Sequence, residues 1–135
     1  FAMGEEATAL QNDTVAVGHE ASAIGEKATA FGFTAQAKNE QSAAFGSGAN
    51  AEGEFSSALG PASRAGNNGT AVGYFAEATG NTSTAIGYGA KTNITDATAV
   101  GGNHTKANGE GGSQSPECFR RIVVRYLGRK RWRPD

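Results

Sequence analysis

Gly69-Thr70-Ala71-Val72-Gly73 is followed, fourteen residues on, by Ser83-Thr84-Ala85-Ile86-Gly87. Earlier the phrase Ala-x-Ala-hydrophobic-Gly comes at half that step: Thr14-Val15-Ala16-Val17-Gly18, Ala21-Ser22-Ala23-Ile24-Gly25, Ala28-Thr29-Ala30-Phe31-Gly32. It returns to end at Gly46, Gly60 and Gly101. A fixed internal period is the signature of a repeat architecture. Function is then expected on a long, regular surface rather than in a pocket.

Counting back from each glycine, position −2 is almost always alanine, from Ala9 and Ala16 to Ala85 and Ala99. Position −1 is large and apolar in the strong phrases: Met3, Val17, Phe31, Phe45, Leu59, Val72, Ile86 and Val100. Weaker phrases lie between them, Ala35-Gln36-Ala37-Lys38-Asn39, Ala49-Asn50-Ala51-Glu52-Gly53 and Ala76-Glu77-Ala78-Thr79-Gly80, with Lys38, Glu52 and Thr79 at −1. Adjacent side chains on a strand point to opposite faces. The alternation therefore predicts an all-β parallel β-roll, or solenoid, with fourteen-residue turns. Each turn has two strands of about five residues joined by two-residue corners. Alanine points inward and the −1 residue outward.

Gly18, Gly25, Gly32, Gly46, Gly60, Gly73, Gly87 and Gly101 are read as structural corner glycines that supply positive φ. Asn39 is read as a substitute, since asparagine tolerates that region. Leu10 and Ile24 are apolar on the weak-strand parity and are read as an exposed patch near the N-terminal end, a contact with a preceding module, or ordinary scattered surface aliphatics. From Gly60 to Gly73 the spacing is thirteen, which places a dropped residue near Pro61-Ala62-Ser63-Arg64. Ile94 stands where a corner glycine is due, so an irregular corner is expected at Lys91–Thr95.

The stripe from Met3 to Val100 predicts a partner. Burying each of its side chains is worth about 1.5–3 kcal/mol, against about 0.8 for an alanine methyl. An exposed apolar strip marks an interaction surface. Three copies around an axis would bury it symmetrically, so the stripe is read as a trimer interface.

Residues 1–112 carry five basic and eleven acidic side chains, a net charge of −6, whereas residues 113–135 carry seven basic and two acidic, a net of +5. The acidic body is poorly suited to nucleic acid, whose affinity comes from phosphate contacts. The one cysteine, Cys118, excludes an intrachain disulfide and a cysteine-built zinc site. No apolar run reaches the ~18 residues of a membrane span. The chain begins at Phe1 in mid-phrase and reads as a piece of a longer protein.

Gly69-Thr70-Ala71-Val72-Gly73 and Ser83-Thr84-Ala85-Ile86-Gly87 resemble the head repeats of trimeric autotransporter adhesins, the YadA-like head family. The resemblance covers residues 1–112, about eight turns. It implies a left-handed roll, a homotrimer, and display outside a Gram-negative outer membrane. It further implies a virulence role in attachment to a host extracellular matrix protein or cell-surface receptor. Handedness comes only from the resemblance, since crossovers in sheets are generally right-handed. The chain departs from the family after residue 112. No neck, heptad stalk or anchor barrel appears, so membrane association is expected only through an anchor domain outside this chain. Residues 113–135 read as a basic tail, non-native or disordered.

Other motifs are explained by the repeat. Gly87-Tyr88-Gly89-Ala90-Lys91-Thr92 lacks the spacing of a phosphate loop. His19 and His104 have no ligand spacing, and no carboxylate pair is singled out for acid–base work. Five sequons, among them Asn12-Asp13-Thr14 and Asn68-Gly69-Thr70, are expected by chance in so Asn- and Thr-rich a chain. The expectation is therefore no enzyme, no catalytic residue, no metal and no cofactor, with the ligand-binding residues unassigned and any ligand meeting Lys38, Glu52, Thr79, Glu77 and the corners. Two alternatives remain. One is an ice-binding solenoid using the ladder Thr70, Thr84 and Thr98 in an exposed stripe. The other is a phage tail-fibre segment.

Overall fold

The computed structural model describes residues 1–102 and 105–107. The tail from residue 113, with Cys118, and His104 lie outside them. Sixteen short strands alternate between two parallel sheets of eight. The strong phrases form one sheet: β1 (Ala2–Met3), β3 (Val15–Val17), β5 (Thr29–Phe31), β7 (Ala43–Phe45), β9 (Ser57–Leu59), β11 (Thr70–Val72), β13 (Thr84–Ile86) and β15 (Thr98–Val100). The weak phrases form the other: β2 (Thr8–Ala9), β4 (Ser22–Ala23), β6 (Gln36–Ala37), β8 (Asn50–Ala51), β10 (Arg64–Ala65), β12 (Glu77–Ala78), β14 (Lys91–Thr92) and β16 (Lys106–Ala107). Each strand pairs only with the strands one turn away in its own sheet. The result is a parallel β-solenoid. Paired strands are shorter than the five residues expected. Strong strands pair over two or three residues and weak ones over two, because the corner begins as soon as the chain must turn.

The interior is made of small side chains. Every buried hydrophobic residue among those described is an alanine, from Ala16 to Ala107. They occupy positions −2 and −4 of both strand types, so two methyl layers meet between the sheets. Where −4 is polar, the hydroxyl folds back onto the corner. Ser42, Ser56, Ser63 and Ser83 donate to the carbonyls of Asn39, Gly53, Gly60 and Gly80 at 2.6–2.8 Å. A buried hydroxyl must be hydrogen-bonded to be tolerated, and this local bond achieves it without a partner from the opposite sheet.

The corners differ from expectation in several respects. After strong strands the glycine does take positive φ, 130° at Gly18, and a Cβ there would lie 2.5 Å from the Gly32 carbonyl oxygen. After weak strands it does not. Gly25 is absent from the left-handed region, and what requires glycine is space, since a Cβ would meet the Asn39 oxygen at 2.0 Å. In the corners described throughout, the second residue after the glycine position takes the left-handed conformation after both kinds of strand, as at Glu20 (φ 56°), Lys27 (φ 58°) and Asp96 (φ 57°). Its N–H then donates to the first corner carbonyl of the preceding turn, as Glu20 does to Glu5 at 2.9 Å and Thr34 to His19 at 2.9 Å. That bond offsets the left-handed cost of about 1–2 kcal/mol.

Ile94 therefore fits. Its position needs no positive φ, Asp96 takes the left-handed place, and Asp96 N–H reaches the Asn81 carbonyl at 2.9 Å. The corner after Lys91 is regular, not irregular. The dropped residue is also elsewhere than expected. Arg64 pairs with Asn50 at the full step of fourteen and with Glu77 at thirteen, so the deletion follows Ala65. Pro61 and Ala62 form an ordinary corner, with Ala62 at φ 54° donating to the Ser47 carbonyl at 2.9 Å. The shortened corner is Gly66-Asn67-Asn68-Gly69, closed by Gly69 N–H on the Gly66 carbonyl at 2.9 Å. One further step departs from fourteen: Lys91 pairs with Lys106, fifteen residues on.

Candidate functional site

The strong sheet turns its −1 residues away from the alanine interior in one unbroken ladder. Met3 aligns with Val17, Val17 with Phe31, Phe31 with Phe45, Phe45 with Leu59, Leu59 with Val72, Val72 with Ile86 and Ile86 with Val100. The phenyl rings of Phe31 and Phe45 stack with centroids 6.2 Å apart. The rings are only half covered, Phe31 being 50% and Phe45 41% exposed. The deletion at Gly66–Gly69 leaves this register intact, because it is absorbed within one corner.

The weak sheet is its polar counterpart. Glu52 binds Arg64, with Nε and one terminal nitrogen both 2.9 Å from Oε2, and lies 3.7 Å from Lys38. Asn50 donates to Glu52 Oε1 at 2.9 Å. Lys91 and Glu77 pair at 2.8 Å across neighbouring strands. Thr79 is exposed beside them. Leu10 and Ile24 are exposed on the same sheet, Leu10 at 65% and Ile24 at 41%. The two sheets thus present opposite chemistry on the two sides of one rod.

A third feature was not singled out in the sequence. The first corner residue after each strong strand forms a column along one edge: Glu5, His19, Phe33, Ser47, Pro61, Tyr74, Tyr88. His19 stacks on Phe33 at 5.4 Å and Tyr74 on Tyr88 at 5.6 Å, while Phe75 meets Tyr74 edge-on at 4.6 Å. The same fourteen-residue period would have revealed this column had the corners been counted as the strands were.

A hollow on the weak sheet, lined by Glu77, Thr79, Lys91, Thr92, Asn93 and Lys106, holds about 190 Å³. Small-molecule sites usually hold about 300–1,000 Å³. Among the described residues no group of three His, Cys, Asp or Glu side chains is placed to hold a metal ion.

A family model described as the YadA head domain repeat, two copies long, matches residues 1–21, 23–49, 37–63, 51–76, 65–90 and 78–103. The chain belongs to the YadA head repeat family. No curated protein matches it. The overlapping matches step along this YadA head by thirteen or fourteen residues from residue 23 onward, the same steps that separate its paired strands. Family and solenoid are both of a structural, adhesin-like kind.

Proposed function

We propose that this YadA head is the binding end of a homotrimeric autotransporter adhesin, exposed outside a Gram-negative outer membrane and free of enzymatic activity. Three strong sheets face a common axis, and the weak sheets and corners face outward. The observation that carries this reading is the registered ladder from Met3 to Val100, half-exposed on one chain, set against a salt-bridged polar sheet on the other side. A contiguous apolar face of that length calls for a cover, and a three-fold axis covers all copies equivalently. The head repeats are taken as residues 1–112.

The outward surface repeats with every turn and would be present three times around the axis. Weak contacts with an extended matrix protein or a cell-surface receptor then sum by effective concentration rather than by one tight site. Sedimentation equilibrium of the full chain tests the assembly, with the expected mass three times 13.7 kDa. Binding to immobilised collagen and other matrix proteins, compared for trimer and dissociated variant, tests the adhesin role. One observation favours a second reading: Thr70, Thr84 and Thr98 lie in register on the strong face. A folded monomer with thermal hysteresis in freezing would favour an ice-binding surface. The half-exposed Phe31 and Phe45 rings make that face uneven and favour the trimer.

A further inference from the structure

We propose that Asn68 is a site of spontaneous covalent modification, the hydrolysis of its side-chain amide by way of a succinimide, and that the folded corner holds this chemistry shut. The reaction uses the backbone nitrogen of the following residue as its nucleophile. It is easiest where that residue carries no side chain, as in Asn68-Gly69. The site lies within one corner of one chain and does not depend on how chains assemble.

The fold accounts for the pair. Asn68 is the left-handed residue of its corner, φ 51°, a conformation that asparagine tolerates. Gly69 takes the inward −4 position, held by Ser56 in the turn before and Ser83 in the turn after. Here the step between weak strands is one residue short. A Cβ on Gly69 would lie 2.7 Å from the Ala78 carbonyl oxygen and 2.9 Å from that of Gly66. A side chain has no room, so the turn that lost a residue also carries glycine after its left-handed position. Among the described residues no other asparagine precedes a glycine.

The same corner denies the nucleophile. Gly69 is buried, and its N–H donates to the Gly66 carbonyl at 2.9 Å. The equivalent bonds of Ala28 to Gly25 and Ser42 to Asn39 are longer, 3.1 and 3.2 Å. The nitrogen can attack only after it gives up this proton to hydroxide, and burial keeps hydroxide away. Asn68 is itself anchored, its N–H donating to the Glu54 carbonyl at 2.9 Å, although the residue is exposed.

Once the corner opens, water and hydroxide complete the chemistry. The Gly69 nitrogen loses its proton to hydroxide and attacks Cγ of Asn68. The bond from Cγ to Nδ2 breaks, and ammonia leaves with a proton from water, which returns the hydroxide. Water then opens the succinimide ring at either carbonyl. Opening at Cγ gives aspartate at position 68. Opening at the backbone carbonyl gives isoaspartate, with one more atom in the main chain. Aspartate suits this place, since Asp13 and Asp96 hold the same corner position, both at φ 57°.

The test holds the full chain in mildly alkaline buffer, folded in one arm and unfolded in guanidinium chloride in the other. Proteolysis and fragment mass spectrometry locate each change from amide to acid. Conversion at Asn68 is expected to be at least about tenfold slower in the folded arm, because it waits on a local opening. Asn108-Gly109, the same pair elsewhere in the chain, gives the intrinsic rate in the unfolded arm. Low guanidinium, short of unfolding, is expected to speed hydrogen exchange of the Gly69 amide and conversion of Asn68 by the same factor. Equal rates at Asn68 in the two arms, or no conversion in the unfolded one, would overturn the proposal. Rapid exchange at Gly69 with slow conversion would also overturn it, since the N–H bond would then not be the gate. Asn68→Asp is expected to fold with a thermal midpoint within a few degrees of the parent chain. Failure of that variant to fold would overturn the fit of the aspartate product.

Discussion

At the scale of single residues, the interior tolerates little beyond a methyl group. Thr92 is the exception at an inward −2 position, 2% exposed, and its hydroxyl has no hydrogen-bond partner. The serines at −4 avoid this by bonding back to their own corner, which the −2 position cannot do from mid-strand. Thr92→Ala is expected to stabilise the fold by about 1 kcal/mol, since it removes an unsatisfied buried group. A rise in thermal midpoint measured by calorimetry checks it, and an unchanged or lower midpoint refutes it. Glycine at Gly25 answers to a different constraint, the backbone of the next turn. Gly25→Ala is expected to cost several kcal/mol through forced separation of two turns, by the logic of overpacking, which costs about 1–3 kcal/mol even in more yielding cores. Urea titration against the parent chain reads the loss.

At the scale of elements, strands and corners share the work unequally. The strands are too short to be stable alone, and only stacking on the turns above and below completes their hydrogen bonds. The corners take up irregularity. The loss of one residue at Gly66–Gly69 leaves Ser57 aligned with Thr70 and Leu59 with Val72. A glycine inserted between Gly66 and Asn67 restores the common corner length and is expected to shift the midpoint by no more than a few degrees. The same insertion between Ala71 and Val72 would turn every following side chain of that strand to the wrong face, and unfolding at ambient temperature is the expected outcome. On the weak sheet, Glu52 joins Lys38 and Arg64 across three neighbouring strands. These side chains are 30–51% exposed, so Glu52→Gln is expected to cost no more than about 1 kcal/mol and less at high salt. A midpoint difference that grows with added salt would contradict this.

At the scale of the whole molecule, stability and assembly are expected to be one equilibrium. An alanine interior contributes little transfer energy per residue, whereas the strong face carries an exposed ladder of larger apolar side chains from Met3 to Val100. If the strong faces meet at a three-fold axis as proposed, Ile86→Asp is expected to dissociate the assembly, because a carboxylate there would be buried three times over without a partner. Thr79→Asp, exposed on the weak sheet, should leave the mass unchanged. Sedimentation of the two variants side by side decides whether the strong face is the inner one. If both remain trimeric, the assignment of faces is wrong.

Periodicity alone determined the two kinds of strand, their step of fourteen and the side each presents. An alanine at −2 and a bulky residue at −1 can be placed consistently in only one way on a narrow roll. Which residue of each corner takes the left-handed conformation, where the missing residue falls, and why Ile94 is tolerated were decided by the tertiary structure. These depend on which amide reaches the carbonyl one turn below, and on how closely one backbone passes over the next. The phrase from Gly69 to Gly73 thus carried its own strand and its face. The shortened corner before it became visible only when Ala65 was seen paired with Ala51 on one side and Ala78 on the other.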